Sequence, residues 1–153
     1  MKIIDGKRIA TVTDDAILGF FGEYRFMSNF YPSPMTIDGI RYSTSEHAYM
    51  AAKTLDKNIK LMIRDCVTPR DARNMGQKIE MRADWNNIHR PIAMYECLIH
   101  KFAIPDLRKM LLDTGDKYLE ETNNWGDRYW GVDGSGKNML GRTLMLVRNH
   151  YKN

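Results

Sequence analysis

Glu46 lies in the opening turn of a helix-like run, YSTSEHAYMAAK, whose next apolar residues are Ala48, Tyr49, Met50 and Ala51. A carboxylate at such a place is either a capping-turn anion facing the positive end of the helix or a chemical group in its own right. The second use needs a partner. WGDRYWGVDGSGKN, Trp125 to Asn138, offers Asp127 and Asp133 among Trp125, Trp130 and glycines that let a backbone come close to a ligand. Two carboxylates from distant parts of a chain can hydrolyse a sugar bond. One activates water or assists the leaving group, and the other stabilises the oxocarbenium-like carbon. That chemistry asks for no metal, and no cofactor is expected.

The run Gly134-Ser135-Gly136-Lys137-Asn138 lacks the G-x-x-x-x-G-K-[ST] spacing of a triphosphate loop. It still sets Lys137 and a stretch of backbone N–H groups at the start of a final helix, which is either a seat for one phosphate or a flexible surface loop. Trp85, Trp125, Trp130, Phe30 and Tyr31 are the aromatics that helical periodicity leaves over, available for core packing or for stacking on a ring. No Cys-His pair stands in a nucleophile-base arrangement, and Cys66 and Cys97 read as buried thiols.

The elements that must position these groups fall in a clear order. The N-terminal third reads as extended: MTIDGIRYS puts Asp38-Gly39 between Thr36-Ile37 and Ile40-Arg41, a two-residue hairpin signal, and MSNFYPSPM before it reads as a proline-bearing loop. From Ser45 onward the text is helical. NIKLMIRDC predicts a second helix, and TPRDARNMG a third, with a Thr cap, Pro at the first position and a closing Gly. Steps of three and four through Trp85, Ile88, Ile92, Tyr95, Ile99 and Phe102 predict an amphipathic helix that Pro91 kinks or breaks. PDLRKMLLDTG and NMLGRTLMLVRNHY complete the set.

With 153 residues, 43% hydrophobic and 27% charged, the chain fits one compact domain with a real core. No apolar run approaches a membrane span, no signal peptide is legible, and the expected location is the cytoplasm. A net charge of +4 without a basic run favours an anionic ligand over a long nucleic acid.

FFGEYRFMSNFYPSPM, YSTSEHAYMAAK, RADW, LLDTGDKYLEE and DRYWGVDGSGKNMLGRTLM, in this order and spacing, resemble the NADAR family. That family holds N-glycosidases acting on riboflavin-biosynthesis intermediates and hydrolases that remove ADP-ribose. The resemblance runs from about Leu18 onward, leaving residues 1–17 as an extension and 18–153 as the domain. It implies a mainly helical α+β fold with a small N-terminal hairpin region. It also implies cleavage of the bond between C1 of a phosphorylated ribose and a nitrogen. By this resemblance Glu46 and Asp127 are the catalytic pair, with Asp133 in a more variable stretch. Trp85 and Trp130 would stack on the leaving base, Asn138 would bind sugar or phosphate, and Arg25 and Lys137 would pair with phosphate. His89 stands where family members often carry Lys. The ligand is then a small ribosyl phosphate, the alternatives being ADP-ribose on a nucleobase of DNA or RNA, or ADP-ribose held by a non-catalytic module.

Overall fold

The computed structural model describes residues 1–153 and divides them into two compact units, Met1–Ser28 with Pro105–Asn153, and Asn29–Ile104. Both mix short strands with helices, the α+β class read from the sequence. No helix is long and apolar enough to cross a membrane.

In the Asn29–Ile104 unit, β5 (Pro32–Ile37) and β6 (Ile40–Thr44) form an antiparallel hairpin. Ile37 faces Ile40 across Asp38 (φ 50°) and Gly39 (φ 78°), the doubly left-handed turn that Asp-Gly favours. MSNFYPSPM is only half loop, because β5 starts at Pro32. A two-stranded sheet has a free edge where a missing N–H costs nothing, and the register shifts between Pro32 and Met35.

Helices α1 (Ser45–Ala52), α2 (Lys57–Arg64) and α3 (Pro69–Gly76) follow, each with a side-chain cap. Thr44 accepts from the His47 N–H, Asp56 from Asn58 and Ile59, and Thr68 from Asp71. Gly76 ends α3 in helical conformation, with no left-handed cap. Its reason is space, since a Cβ there would overlap the Met50 side chain of α1.

The predicted amphipathic helix is in fact a π-helical turn, Trp85–His89, running into α4 (Arg90–Phe102), where Pro91 sits in the first turn. The Arg90 N–H reaches back five residues to the Trp85 carbonyl. That extra residue resets the phase of the helix. The buried line is therefore Ala93, Met94, Cys97, Leu98 and Phe102, while Ile88 and Ile92, assigned to the core by spacing, lie on the surface, Ile92 59% exposed. Cys97 is buried, its thiol pushed up by desolvation, but Cys66 is only half-buried and so corrects the reading of both as core thiols.

In the other unit, β1 (Lys2–Ile4) and β2 (Lys7–Ile9) make a hairpin, and β3 (Thr11–Val12), β4 (Ala16–Leu18) and β7 (Tyr118–Glu120) a three-stranded sheet in which β4 and β7 run parallel. Residues 11–17 of the presumed extension are thus built into this sheet, and β4 crosses the boundary read at residue 17. Helices α5 (Pro105–Leu112) and α6 (Met139–Lys152) pack against each other, and α6 also covers β7. Ile17, Leu111, Leu119, Leu140, Leu144 and Val147 are buried here.

Gly141 lets α6 lie directly on β7, because a Cβ at that position would overlap the Leu119 carbonyl oxygen and the Asn138 amide. Gly141→Ala should cost about 2–3 kcal/mol by overpacking against backbone. A thermal melt followed by circular dichroism should show this as a fall in Tm of roughly 5–10 °C.

Candidate active site

In the Asn29–Ile104 unit the sequence builds a rigid seat for Glu46. The His47 ring is fully buried between Thr44 Oγ1, 2.7 Å from Nδ1, and the Cys66 carbonyl oxygen, 2.9 Å from Nε2. A carbonyl only accepts, so Nε2 carries a proton and donates it there, while Nδ1 shares a hydrogen bond with the Thr44 hydroxyl. His47 is a buried pin, both of its ring nitrogens committed to these two partners. On the other side, Ser45 Oγ donates to Asn29 Oδ1 at 2.9 Å, and the Glu46 N–H donates to the Asn29 carbonyl at 3.0 Å. Glu46 is held between these two ties and is 7% exposed.

Seven residues on, close to two full turns and about 10 Å along the axis, Lys53 shares the Glu46 side of α1. Sequence reasoning missed it, although the i, i+7 spacing from Glu46 was there to be seen. Its Nζ donates to the Gly76 carbonyl at 3.2 Å. Burial lowers the Lys53 pKa from its ordinary value; Glu46 pulls it back up, and Arg73 and Arg90 press it down. Met50 lies between the two on the same side and is buried, as is Trp85, whose ring packs against Tyr49 at 5.5 Å between centroids. At 3% exposure Trp85 presents little of its face to any ligand.

The second group of predicted residues lies in the other unit. Asp127 Oδ1 accepts the N–H groups of Tyr129 (3.2 Å) and Trp130 (3.0 Å), while Oδ2 has no hydrogen-bond partner. Asn123 ties the base of the loop: its Nδ2 donates to the Asp127 carbonyl at 2.8 Å and its Oδ1 accepts from Asp127 N at 3.1 Å. Asp133 accepts from Gly126 N. Trp130 is half-buried, meeting Tyr129 edge-on, and Lys137 lies exposed above the Tyr129 ring.

The structure corrects two readings of this loop. Its glycines serve close packing more than flexibility, for a Cβ on Gly131 would strike the Glu121 carbonyl and one on Gly136 the Gly131 carbonyl. The N–H groups at the start of α6 are not free for phosphate either. Those of Lys137, Asn138, Met139 and Leu140 donate to the carbonyls of Arg128, Gly131, Tyr129 and Trp130. Asn138, left-handed at φ 51°, has its amide engaged as well. Oδ1 accepts from Glu121 N at 3.0 Å, and Nδ2 donates to the Leu119 carbonyl and the Tyr118 hydroxyl. Arg25 is exposed in the 3-10 turn Gly22–Met27.

Compared with known proteins, residues 19–152 match the NADAR domain. The chain belongs to the NADAR family. It is 36% identical over 154 residues to the N-glycosidase YbiA of Escherichia coli K12, an alignment covering 95% of this chain and 94% of that one. It is also 36% identical over 138 residues to the N-glycosidase Npun_R5314 of Nostoc punctiforme, covering 85% and 87%. The riboflavin biosynthesis protein VVA0006 of Vibrio vulnificus is 33% identical, with 83% of this chain matching 35% of that longer one. The NMR structure of E. coli YbiA superposes with a TM-score of 0.80 at 35% identity, over 95% of this chain and 90% of that one. The NADAR match takes in both α1 and the Asp127 loop.

Two measurements test the geometry. Asn138→Asp keeps the left-handed backbone but sets an oxygen against the Leu119 carbonyl, and denaturant unfolding should show a loss of about 2 kcal/mol. Lys53 is charged below its lowered folded-state pKa, so its burial cost is present there and fades as the pH rises toward the unfolded value of 10.5. The stability of the wild type relative to Lys53→Met should therefore improve between pH 7 and pH 10.5, and a flat difference would show that the ammonium is not desolvated.

Proposed function

We propose that this chain is an N-glycosidase that hydrolyses the bond between C1 of a phosphorylated ribose and a nitrogen, its substrate a riboflavin-biosynthesis intermediate. The observation that carries this reading is the buried Glu46 carboxylate on a pinned helical turn, with a desolvated lysine on the same side of the helix. The relatives named N-glycosidase, matched almost end to end, supply the reaction class, and those named for riboflavin biosynthesis supply the substrate class. The two unpaired thiols suit the reducing cytoplasm.

In this reading Glu46 takes a proton from the attacking water as its oxygen bonds to C1. A carboxylate in a site of low dielectric also stabilises the positive charge that grows on the ribose ring. As the C1–N bond breaks, the Lys53 ammonium, made more acidic by burial, gives its proton to the departing nitrogen. Glu46 then returns the water-derived proton to Lys53, which restores both groups. Asp127 is the assisting carboxylate, because Oδ2 remains available while Oδ1 is fixed by two N–H donors. Trp130 is the better placed of the two tryptophans to meet a base. Lys137 offers its side chain alone to phosphate, and Asn138 holds the loop that carries them.

Glu46→Gln keeps the size of the side chain and removes the base, so turnover should fall on the order of 10² to 10⁴-fold while circular dichroism and Tm stay unchanged. The assay follows free base by mass spectrometry from the riboflavin-pathway ribosylamino-pyrimidine phosphate and, separately, from an ADP-ribosylated guanine oligonucleotide. Cleavage of the first alone supports the proposal. Cleavage of the second alone transfers the chemistry to nucleic acid, and a folded, active Glu46→Gln enzyme removes Glu46 from it.

A further inference from the structure

Hairpin β5–β6 and helices α1, α2 and α4 line a cavity of about 190 Å³ that the proposed reaction leaves unused. Helix α1 contributes Ala48 and Ala52, which lie across the helix from Glu46 and Lys53. The floor is apolar and uncharged. It is made by buried Ile40, Tyr42, Ala48, Ala93 and Cys97, where burial pushes the Tyr42 hydroxyl up to about 12 and the Cys97 thiol well above its ordinary range. Lys60, Arg82 and His89 line the cavity half-buried, and Asp38 and Glu96 line it at the exposed rim.

None of these five is in an ion pair. Lys60 and Arg82 are instead held by main-chain bonds to the end of α1. Lys60 Nζ donates to the Ala51 carbonyl at 3.0 Å, which leaves further donors on the ammonium, and the Arg82 N–H donates to the Lys53 carbonyl at 2.7 Å. Burial lowers the Lys60 pKa and Arg82 presses it further down, while Asp38 and Glu96 pull it back only in part. The lysine is short of counter-charge where it stands.

A ligand with negative charge alone would meet two carboxylates here, and one with positive charge alone would meet Lys60 and Arg82. A molecule that carries both charges on an apolar body suits all parts of the lining. Its carboxylate would take the guanidinium fork of Arg82 and the Lys60 ammonium, its ammonium would face Asp38 and Glu96, and its hydrocarbon would cover the floor. The volume sets the size, since it holds about six waters at ~30 Å³ each and falls below the roughly 300–1,000 Å³ of sites for drug-sized ligands.

We infer that this cavity binds a small zwitterion with an apolar body, of the aliphatic amino-acid class, between Lys60 and Arg82 inside and Asp38 and Glu96 at the rim. The site stands on the geometry of the cavity and does not depend on the role of Glu46.

The test is an NMR titration of the ¹⁵N-labelled full chain with L-leucine, with isoamylamine, which lacks the carboxylate, and with 4-methylpentanoate, which lacks the ammonium, repeated in the Glu46→Gln background. Millimolar leucine should shift the amides of Gly39, Ile40, Ala52 and Ala93 in both backgrounds. Arg82→Gln, and separately Asp38→Asn with Glu96→Gln, should each weaken leucine at least ~10-fold with the melting curve retained. Absence of these shifts, shifts that survive both variants, or either truncated probe binding as well as leucine would each overturn the site. Loss of the Glu46 assignment would leave the result standing, because no turnover is read.

Discussion

The buried imidazole of His47 is the constraint on which the reactive helix depends. An eight-residue α1 with nearly every side chain buried has no solvated face to fix its rotation. Its first turn is set instead by hydrogen bonds, with a threonine hydroxyl on one ring nitrogen and a main-chain carbonyl on the other. The same threonine oxygen caps the helix by accepting the His47 N–H. Ser45 and the Glu46 N–H both anchor to Asn29. A carboxylate carried on such a turn has little conformational freedom left to lose when it meets a transition state, which is what preorganisation requires.

A similar logic organises the Asp127 loop by different means. Here the rigid parts are two buried asparagines and two glycines packed against carbonyl oxygens. Asn123 grips Asp127 from both sides of its peptide unit, and Asn138 joins β7 to the first turn of α6. The loop closes its own polar groups, so its many Asn and Gly residues are structural elements, and the charged side-chain atoms left outside this hydrogen-bond network are Asp127 Oδ2 and the Lys137 ammonium. Anion binding by main-chain N–H groups is thereby excluded at the start of α6. The positive charge free to meet phosphate stands on side chains.

Much of this was legible in the sequence where a local rule sufficed. Asp38-Gly39 specified its turn, Thr68-Pro69 its helix start, and Ser45-Glu46-His47 the entry to α1, because caps and turns act within a few residues. Periodicity failed at Ile88 and Ile92 because the π-helical turn inserts a residue, and nothing in spacing alone announces such an insertion. Gly76 looked like a helix stop and is a contact. The Gly-Ser-Gly-Lys run looked like an open nest and is hydrogen-bonded shut. In each case the deciding partner, Met50 or the carbonyls of Arg128 to Gly131, is supplied by tertiary structure or by a loop whose path no motif describes.

Lys53 shows the same limit from the other direction. A lysine at the end of a helix is ordinarily a solvated cation that favours the C-terminal dipole, and composition gives no reason to separate it from the other cations of the chain. What separates it is α1 itself. The turn that seats Glu46 also fixes the azimuth of every later residue, so Ala48 and Ala52 point toward the cavity lined by Tyr42 and Cys97, while Glu46, Met50 and Lys53 share the other side. The close approach is made on that second side, where Gly76 of α3 lies against Met50 and its carbonyl accepts from Lys53 Nζ, and it leaves the lysine partly desolvated. The acidity of Lys53 is therefore a consequence of how tightly α1 packs.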